Sequence, residues 1–189
     1  MSWQPAAEIG MWLAEVDTQC LRLELDAFER NLQRLPESLR GISIRLRPHA
    51  KSHKCPEIAL RQIALGAAGV CVQKVSEAAV LVSGGIKDVL IANEVVGAPK
   101  VKLLAELNRQ AHVAVCADDA GNVAALHAAA RAAGVTLDVL VEIDVGAGRC
   151  GLQPGAPAVG LAQQITASLN LRFPGLQGET GRPQRTRKV

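Results

Sequence analysis

The 189 residues are 49% hydrophobic and 21% charged, a balance that supports a packed core and excludes a disordered, collagen-like or coiled-coil chain. Aromatics supply only 2%, with no Tyr, so Ala, Val, Leu and Ile must fill the interior, as where helices cover buried strands. The formal net charge is +3, but Arg182, Arg185, Arg187 and Lys188 concentrate it at the C-terminal end. Without interleaved aromatics that tail reads as a solvated, disordered segment rather than an arm for nucleic acid or anionic lipid.

At the other end, MSWQPAAEIGMWLAEV has no basic leader, and Glu8 and Glu15 punctuate its apolar stretch. No segment reaches the length of a membrane span, so the expected location is cytoplasmic, with no membrane partner. Cys20, Cys55, Cys71, Cys116 and Cys150 are odd in number and form no CxxC pair, which points to reduced, mostly buried thiols.

A first helix is expected over Asp26 to Leu39, with Asp26 as its cap. From Ile42 to Gln177, short apolar runs then alternate with Ala/Leu-rich amphipathic stretches. The runs SIRLR, GVCV, DVLIA, HVAV, LDVLVEI and LRF read as strands covered on both faces. The stretches Cys55–Leu65, Lys74–Ser83, Pro99–Asn108, Asp119–Ala133 and Ala156–Ser168 read as helices. Repeated βα units imply a parallel sheet, either an open doubly wound sheet or part of a (β/α)8 barrel. No GxGxxG follows any strand, and the glycines of GAGRCG at 146–151 have the wrong spacing for a dinucleotide fingerprint. The fold expected is therefore an α/β partial TIM-type barrel of about six βα units.

Two constellations carry chemistry. Arg47-Pro48-His49-Ala50-Lys51-Ser52-His53-Lys54 stands after the first strand, where barrel enzymes place catalytic groups. If the strand continues, a period of two puts Arg47, His49, Lys51 and His53 on one face. A lysine crowded by cations and partly desolvated releases its proton more readily, and its neutral amine attacks carbonyls to give a Schiff base. Lys51 is the candidate nucleophile. A basic loop that is solvated, or that binds phosphate, has the same spacing, and His53 is more readily a structural histidine than a proton shuttle. The second constellation is Glu142-Ile143-Asp144-Val145-Gly146-Ala147-Gly148-Arg149-Cys150-Gly151. Arg149 offers a fork of donors to a phenolate or carboxylate, or else pairs with Glu142 or Asp144 and staples the loop.

RPHAKSHKCPEIA, GVCVQKVSEAAVL, DVLIANEVVG and VEIDVGAGRCG together resemble the D-threonine aldolase and D-serine dehydratase-like family of pyridoxal phosphate enzymes, whose barrel is similar to the alanine racemase N-terminal domain. The resemblance covers roughly residues 15 to 177. It implies that Lys51 forms the Schiff base with pyridoxal 5'-phosphate, that Arg149 lies near the cofactor ring oxygen with His49 also at the cofactor, and that His53 lines the reacting face. The implied activity is cleavage of a D-β-hydroxy amino acid to glycine and an aldehyde, with D-serine-type elimination as the alternative. Its partner is a small-molecule D-amino acid, and a homodimer is left open. Family members continue into further βα units that grip the phosphate and a β-rich domain that holds a divalent metal. Here GETGRPQRTRKV follows Gln177 instead. The resemblance thus implies a truncated or frame-shifted barrel over residues 1–178, with a basic tail over 179–189 and no metal ligands. Little or no lyase activity is expected of it, and a non-catalytic fragment is the rival reading.

Overall fold

In the computed structural model, which describes residues 7–17 and 19–180, the apolar runs line up as parallel strands joined by helices. The chain divides into two compact units, Met1–Gly41 and Ile42–Val189. The first contains α1 (Leu25–Ser38). Its cap is Glu24, two residues earlier than the Asp26 expected, because the longer carboxylate reaches forward to accept from the Asp26 and Ala27 amides at 3.1 and 2.6 Å. Asp26 sits instead in the first turn, where a negative charge favours the positive end of the helix dipole.

The second unit runs α2 (Pro56–Ala64), β1 (Val70–Val72), α3 (Val75–Ser83), β2 (Asp88–Glu94), α4 (Ala98–Leu107), β3 (His112–Ala117), α5 (Ala120–Ala133), β4 (Leu137–Glu142), α6 (Ala156–Ala167), β5 (Leu171–Arg172) and β6 (Leu176–Gln177). Caps explain where the helices begin and end. Pro56 sits in the first turn of α2, the Asp119 side chain accepts from Asn122 N–H at 2.8 Å, and Gly134 closes α5 in the left-handed conformation.

All strand pairs are parallel, in the order β1-β2-β3-β4-β5, with β6 pairing the far end of β4. Every strand is added on the same side of its predecessor. Right-handed crossovers then place all the helices on one face, and α2 through α6 each pack against the next. An open doubly wound sheet reverses its strand order and covers both faces; this sheet does neither, and it is part of a (β/α)8 barrel. Val72, Ile91, Val115 and Val139 stand side by side in register and are fully buried under the helices. Burial of each contributes about 1.5–3 kcal/mol.

Three expectations need correction. SIRLR does not form a strand. The chain only runs beside β1, with Cys71 N–H donating to Pro48 O at 2.8 Å and Ala50 N–H to Cys71 O at 2.7 Å, since Pro48 lacks an amide and the outer edge has no described neighbour. Beyond LRF, the two-residue β6 resumes the pairing after Phe173-Pro174-Gly175. All five thiols are free as expected, but only Cys116 is buried; Cys55, Cys71 and Cys150 are half-buried and Cys20 is exposed.

The inner face of the strands holds polar groups at both ends. At the N-terminal end, Arg47, Asp88, His112, Asp138 and Arg172 form a continuous charge ladder. Arg47 Nη1 donates to Asp88 Oδ1 at 2.8 Å, and His112 lies between Asp88 (3.3 Å) and Asp138 (2.8 Å). Arg172 grips Asp138 through Nε and Nη2, both at 2.6 Å. Gly69, with φ +145°, makes room for this ladder: a Cβ there would strike the Arg47 guanidinium and come within 2.6 Å of Asp88 O. Burial pushes the Asp88 and Asp138 carboxyls up, but the hydrogen bonds and charges of Arg47 and Arg172, with His112, outweigh it and hold both below the ordinary value. Among the described residues no helix is long and apolar enough to cross a membrane. The basic cluster Arg182, Arg185, Arg187 and Lys188 lies outside the described residues.

Candidate active site

The C-terminal ends of the strands face the other way. Past His49, which bridges Cys71, the chain turns through Ala50–His53, and Lys54 N–H donates to Ala50 O at 2.8 Å. This turn overturns the expected single face of four cations. Arg47 is drawn to Asp88 at the opposite end of the strands, and the His53 ring sits over the start of α2, with Nδ1 accepting from Cys55 N–H at 3.1 Å. His49 and Lys51 do come together: the Lys51 amide approaches His49 Nδ1 at 3.4 Å, and Lys51 Nζ is 3.5 Å from Gln73 Oε1 at the end of β1.

The turn also separates the two lysines. Lys54, the only described non-glycine residue with positive φ (52°), is held by Glu77 Oε1 at 3.1 Å. The other oxygen of Glu77 accepts from the Gln73 and Lys74 amides at 2.9 and 3.2 Å, fixing the start of α3. Lys51 has no such carboxylate among the described residues, so its exposed amine is the one open to an electrophile. Burial first, and then the Lys51 charge, lower the His49 pKa, which keeps a second cation away from that amine.

The glycine-rich loop completes the site from β4. Asp144 Oδ1 accepts from Gly146 and Gly148 N–H at 2.9 and 3.1 Å, and Asp118 Oδ2 accepts from Gly151 N–H at 2.9 Å. At Gly151, φ is +98° and a Cβ would lie 2.6 Å from the Asp144 amide nitrogen, so the loop closes this tightly only with glycine. Arg149 pairs with neither of the two acids weighed for it. Its Nη1 meets Glu179 Oε2 at 2.6 Å, directly after β6.

Between these loops lies a set of unsatisfied groups. Glu142 is 3% exposed, and its Oε2, like Glu94 Oε1 and Gln73 Nε2, is buried without a hydrogen-bond partner. Burial, with the charges of Glu94 and Glu179, raises the Glu142 pKa. The Cys116 thiol is pushed up by burial and by Glu142 and Glu94, and Cys150 is pushed up to about 11 by burial and the same acids. These thiols are therefore not nucleophiles near neutral pH. Among the described residues no group of three or more His, Cys, Asp or Glu is placed to hold a metal ion. Sequence reasoning missed Gln73 and Glu179. Gln73 had a signal, as the first polar residue after a buried strand; Glu179 had none, lying 30 positions from Arg149.

A partial barrel with an open amine, an arginine on an anion and buried carboxyls at the C-terminal ends of its strands has the layout of a small-molecule enzyme domain. The chain belongs to the alanine racemase N-terminal domain family, which matches residues 23–178. It is 50% identical over 183 residues to D-threonine aldolase of Arthrobacter sp, covering 97% of this chain and 48% of that protein. It is 45% identical over 175 residues to 3-hydroxy-D-aspartate aldolase of Paracoccus denitrificans, covering 92% and 45%. The crystal structure of D-threonine aldolase from Filomicrobium marinum matches with a TM-score of 0.92 at 54% identity, over 98% of this chain and 50% of that one. The chain spans about half the length of these relatives.

Proposed function

We propose that this chain provides the lysine-bearing part of a pyridoxal 5'-phosphate site for a lyase that cleaves D-β-hydroxy amino acids to glycine and an aldehyde. The observation that carries the reading is Lys51: an exposed amine at the strand ends, next to His49 and Gln73, while neighbouring Lys54 is engaged by Glu77. Similarity to aldolases at 45–50% identity supports cleavage over elimination.

The residues present fit the cofactor. Lys51 offers an amine for its aldehyde, Arg149 already takes an anionic oxygen at 2.6 Å, and Glu142 Oε2 is a buried polar atom still lacking a partner. When bound, the cofactor supplies an electron sink for the substrate α-carbon. The chain's own groups orient and exclude. Gln73 Oε1 steadies the Lys51 amine, His49 Nδ1 fixes the turn through the Lys51 amide, and the Asp144 and Gly151 contacts hold the loop that presents Arg149. The arrangement is a holding device for an aldehyde and an anionic oxygen. His53, over α2, would reach a substrate only from the rim of the turn.

The test is borohydride reduction of the protein in the presence of pyridoxal phosphate, followed by peptide mapping, with D-threonine cleavage assayed in parallel. Label on Lys51, lost in Lys51→Ala and retained in Lys54→Ala, is expected. Label on Lys54 or Lys74 with Lys51 untouched would overturn the assignment.

A further inference from the structure

We propose that Glu179 is a tethered anion that occupies the Arg149 end of the site and competes with the anionic oxygen of an incoming ligand. The inference rests on the function proposed above and concerns what stands in that site before a ligand arrives.

Three observations place the carboxylate. Its Oε2 meets Arg149 Nη1 at 2.6 Å. Its position is set by the register of β6, where Gln177 pairs with Glu142 and Ile143 N–H donates to Gln177 O at 2.8 Å. Gly178 sits against Val145 so closely that a Cβ would meet Cγ1 at 2.9 Å, which packs the backbone before Glu179 onto the end of β4. From there the Glu179 charge is felt by His49, Cys71 and Glu142, which lie on three different segments of the sheet. Because β6 pairs the C-terminal end of β4, the carboxylate stands beside the strand ends, two residues past the partner of Glu142, with its side chain still open to water.

The way the pair is held differs from a structural ion pair in the same molecule. Arg172 binds Asp138 through two nitrogens, and the Asp138 side chain is 6% exposed; Arg149 binds Glu179 through one nitrogen, with the side chains 46% and 42% exposed. A single-contact pair open to water is weak and displaceable, and among the described residues the other guanidinium nitrogens make no hydrogen bond. The ligand class that displaces it is an oxyanion of carboxylate or phenolate type, since that is the chemistry Glu179 presents to Arg149.

Two readouts on the full chain test this, comparing the wild type with Glu179→Gln. The first is borohydride-trapped label on Lys51 as a function of pyridoxal phosphate concentration. The second, free of any cofactor, is the rate at which phenylglyoxal modifies Arg149, followed by mass spectrometry. Removing the charge should shift the trapping curve to about two- to five-fold lower concentration, within the range that an exposed ion pair supplies, and speed Arg149 modification by a similar factor. In an Arg149→Ala background, E179Q should leave the trapping curve where it is. Identical curves and identical modification rates for the wild type and E179Q overturn the proposal. If Lys51 is trapped in neither protein, the proposed function fails, and the phenylglyoxal rates then decide this inference alone: faster in E179Q sustains it, equal rates reject it.

Discussion

Arg47, Asp88, His112, Asp138 and Arg172 meet at the N-terminal ends of the strands, and each contacts an oppositely charged or hydrogen-bonding neighbour. At the opposite ends of the same strands, Gln73, Glu94 and Glu142 each keep a buried atom with no partner, and Lys51 has no carboxylate among the described residues. The polar groups are thus linked into one ladder at the first end, whereas at the other the Arg149–Glu179 and Lys54–Glu77 pairs stand beside buried groups without partners. The satisfied end stabilises the fold. The unsatisfied end keeps polar groups whose desolvation a ligand can repay, which is how barrels of this type divide stability from function.

The largest effect that tests this division is at the ladder. Asp138→Ala removes a buried carboxylate that accepts from Arg172 twice and faces His112, and it should cost about 3 kcal/mol in urea unfolding. A loss below about 1 kcal/mol would mean that the ladder is ornament on a sheet held by apolar packing. Gly69→Ala should cost about 1–2 kcal/mol, because the new methyl enters the space of the Arg47 guanidinium at a φ that side chains rarely adopt.

At the other end the sign should reverse. Glu142→Gln removes a carboxyl that is buried with an unpartnered oxygen, so stability should stay level or rise by up to about 1 kcal/mol, while cofactor trapping at Lys51 weakens. A loss as large as that of Asp138→Ala would break the comparison. The smallest effect is on pH dependence. Asp88 and Asp138 have lowered values when folded, so their contribution is present above the ordinary carboxyl range near ~3.9 and is lost as pH falls through the lowered values. Glu142 has a raised value, so the folded state holds its proton longer and stability declines as pH rises above ~4.3. Unfolding free energy measured from acid to neutral pH should therefore show a smaller acid limb in Asp138→Ala, where Asp88 still keeps Arg47, and a smaller decline above that range in Glu142→Gln.

Much of the site was legible because position along a βα unit already says which end of the barrel a residue occupies. Lys51 follows an extended segment and precedes Pro56, and it lies in the turn Ala50–His53, with His49 just before that turn on the bridge to Cys71. The alternation read through that turn was not legible. Whether an extended segment continues depends on having a neighbour to bond with, and the chain beside β1 has one on one side only. His53 therefore left the face assigned to it.

The sequence by itself determined the fold class, since buried apolar runs spaced by helix-length amphipathic stretches admit only a parallel sheet covered by helices, and it marked the helix starts at Pro56 and Asp119 through local backbone chemistry. Only the tertiary structure decided which charges meet. The ladder joins residues 41, 24, 26 and 34 positions apart, and Arg149 finds Glu179 across 30. No local propensity records such pairs, because they are set by strand register and the twist of the sheet, which exist only after the whole unit has packed.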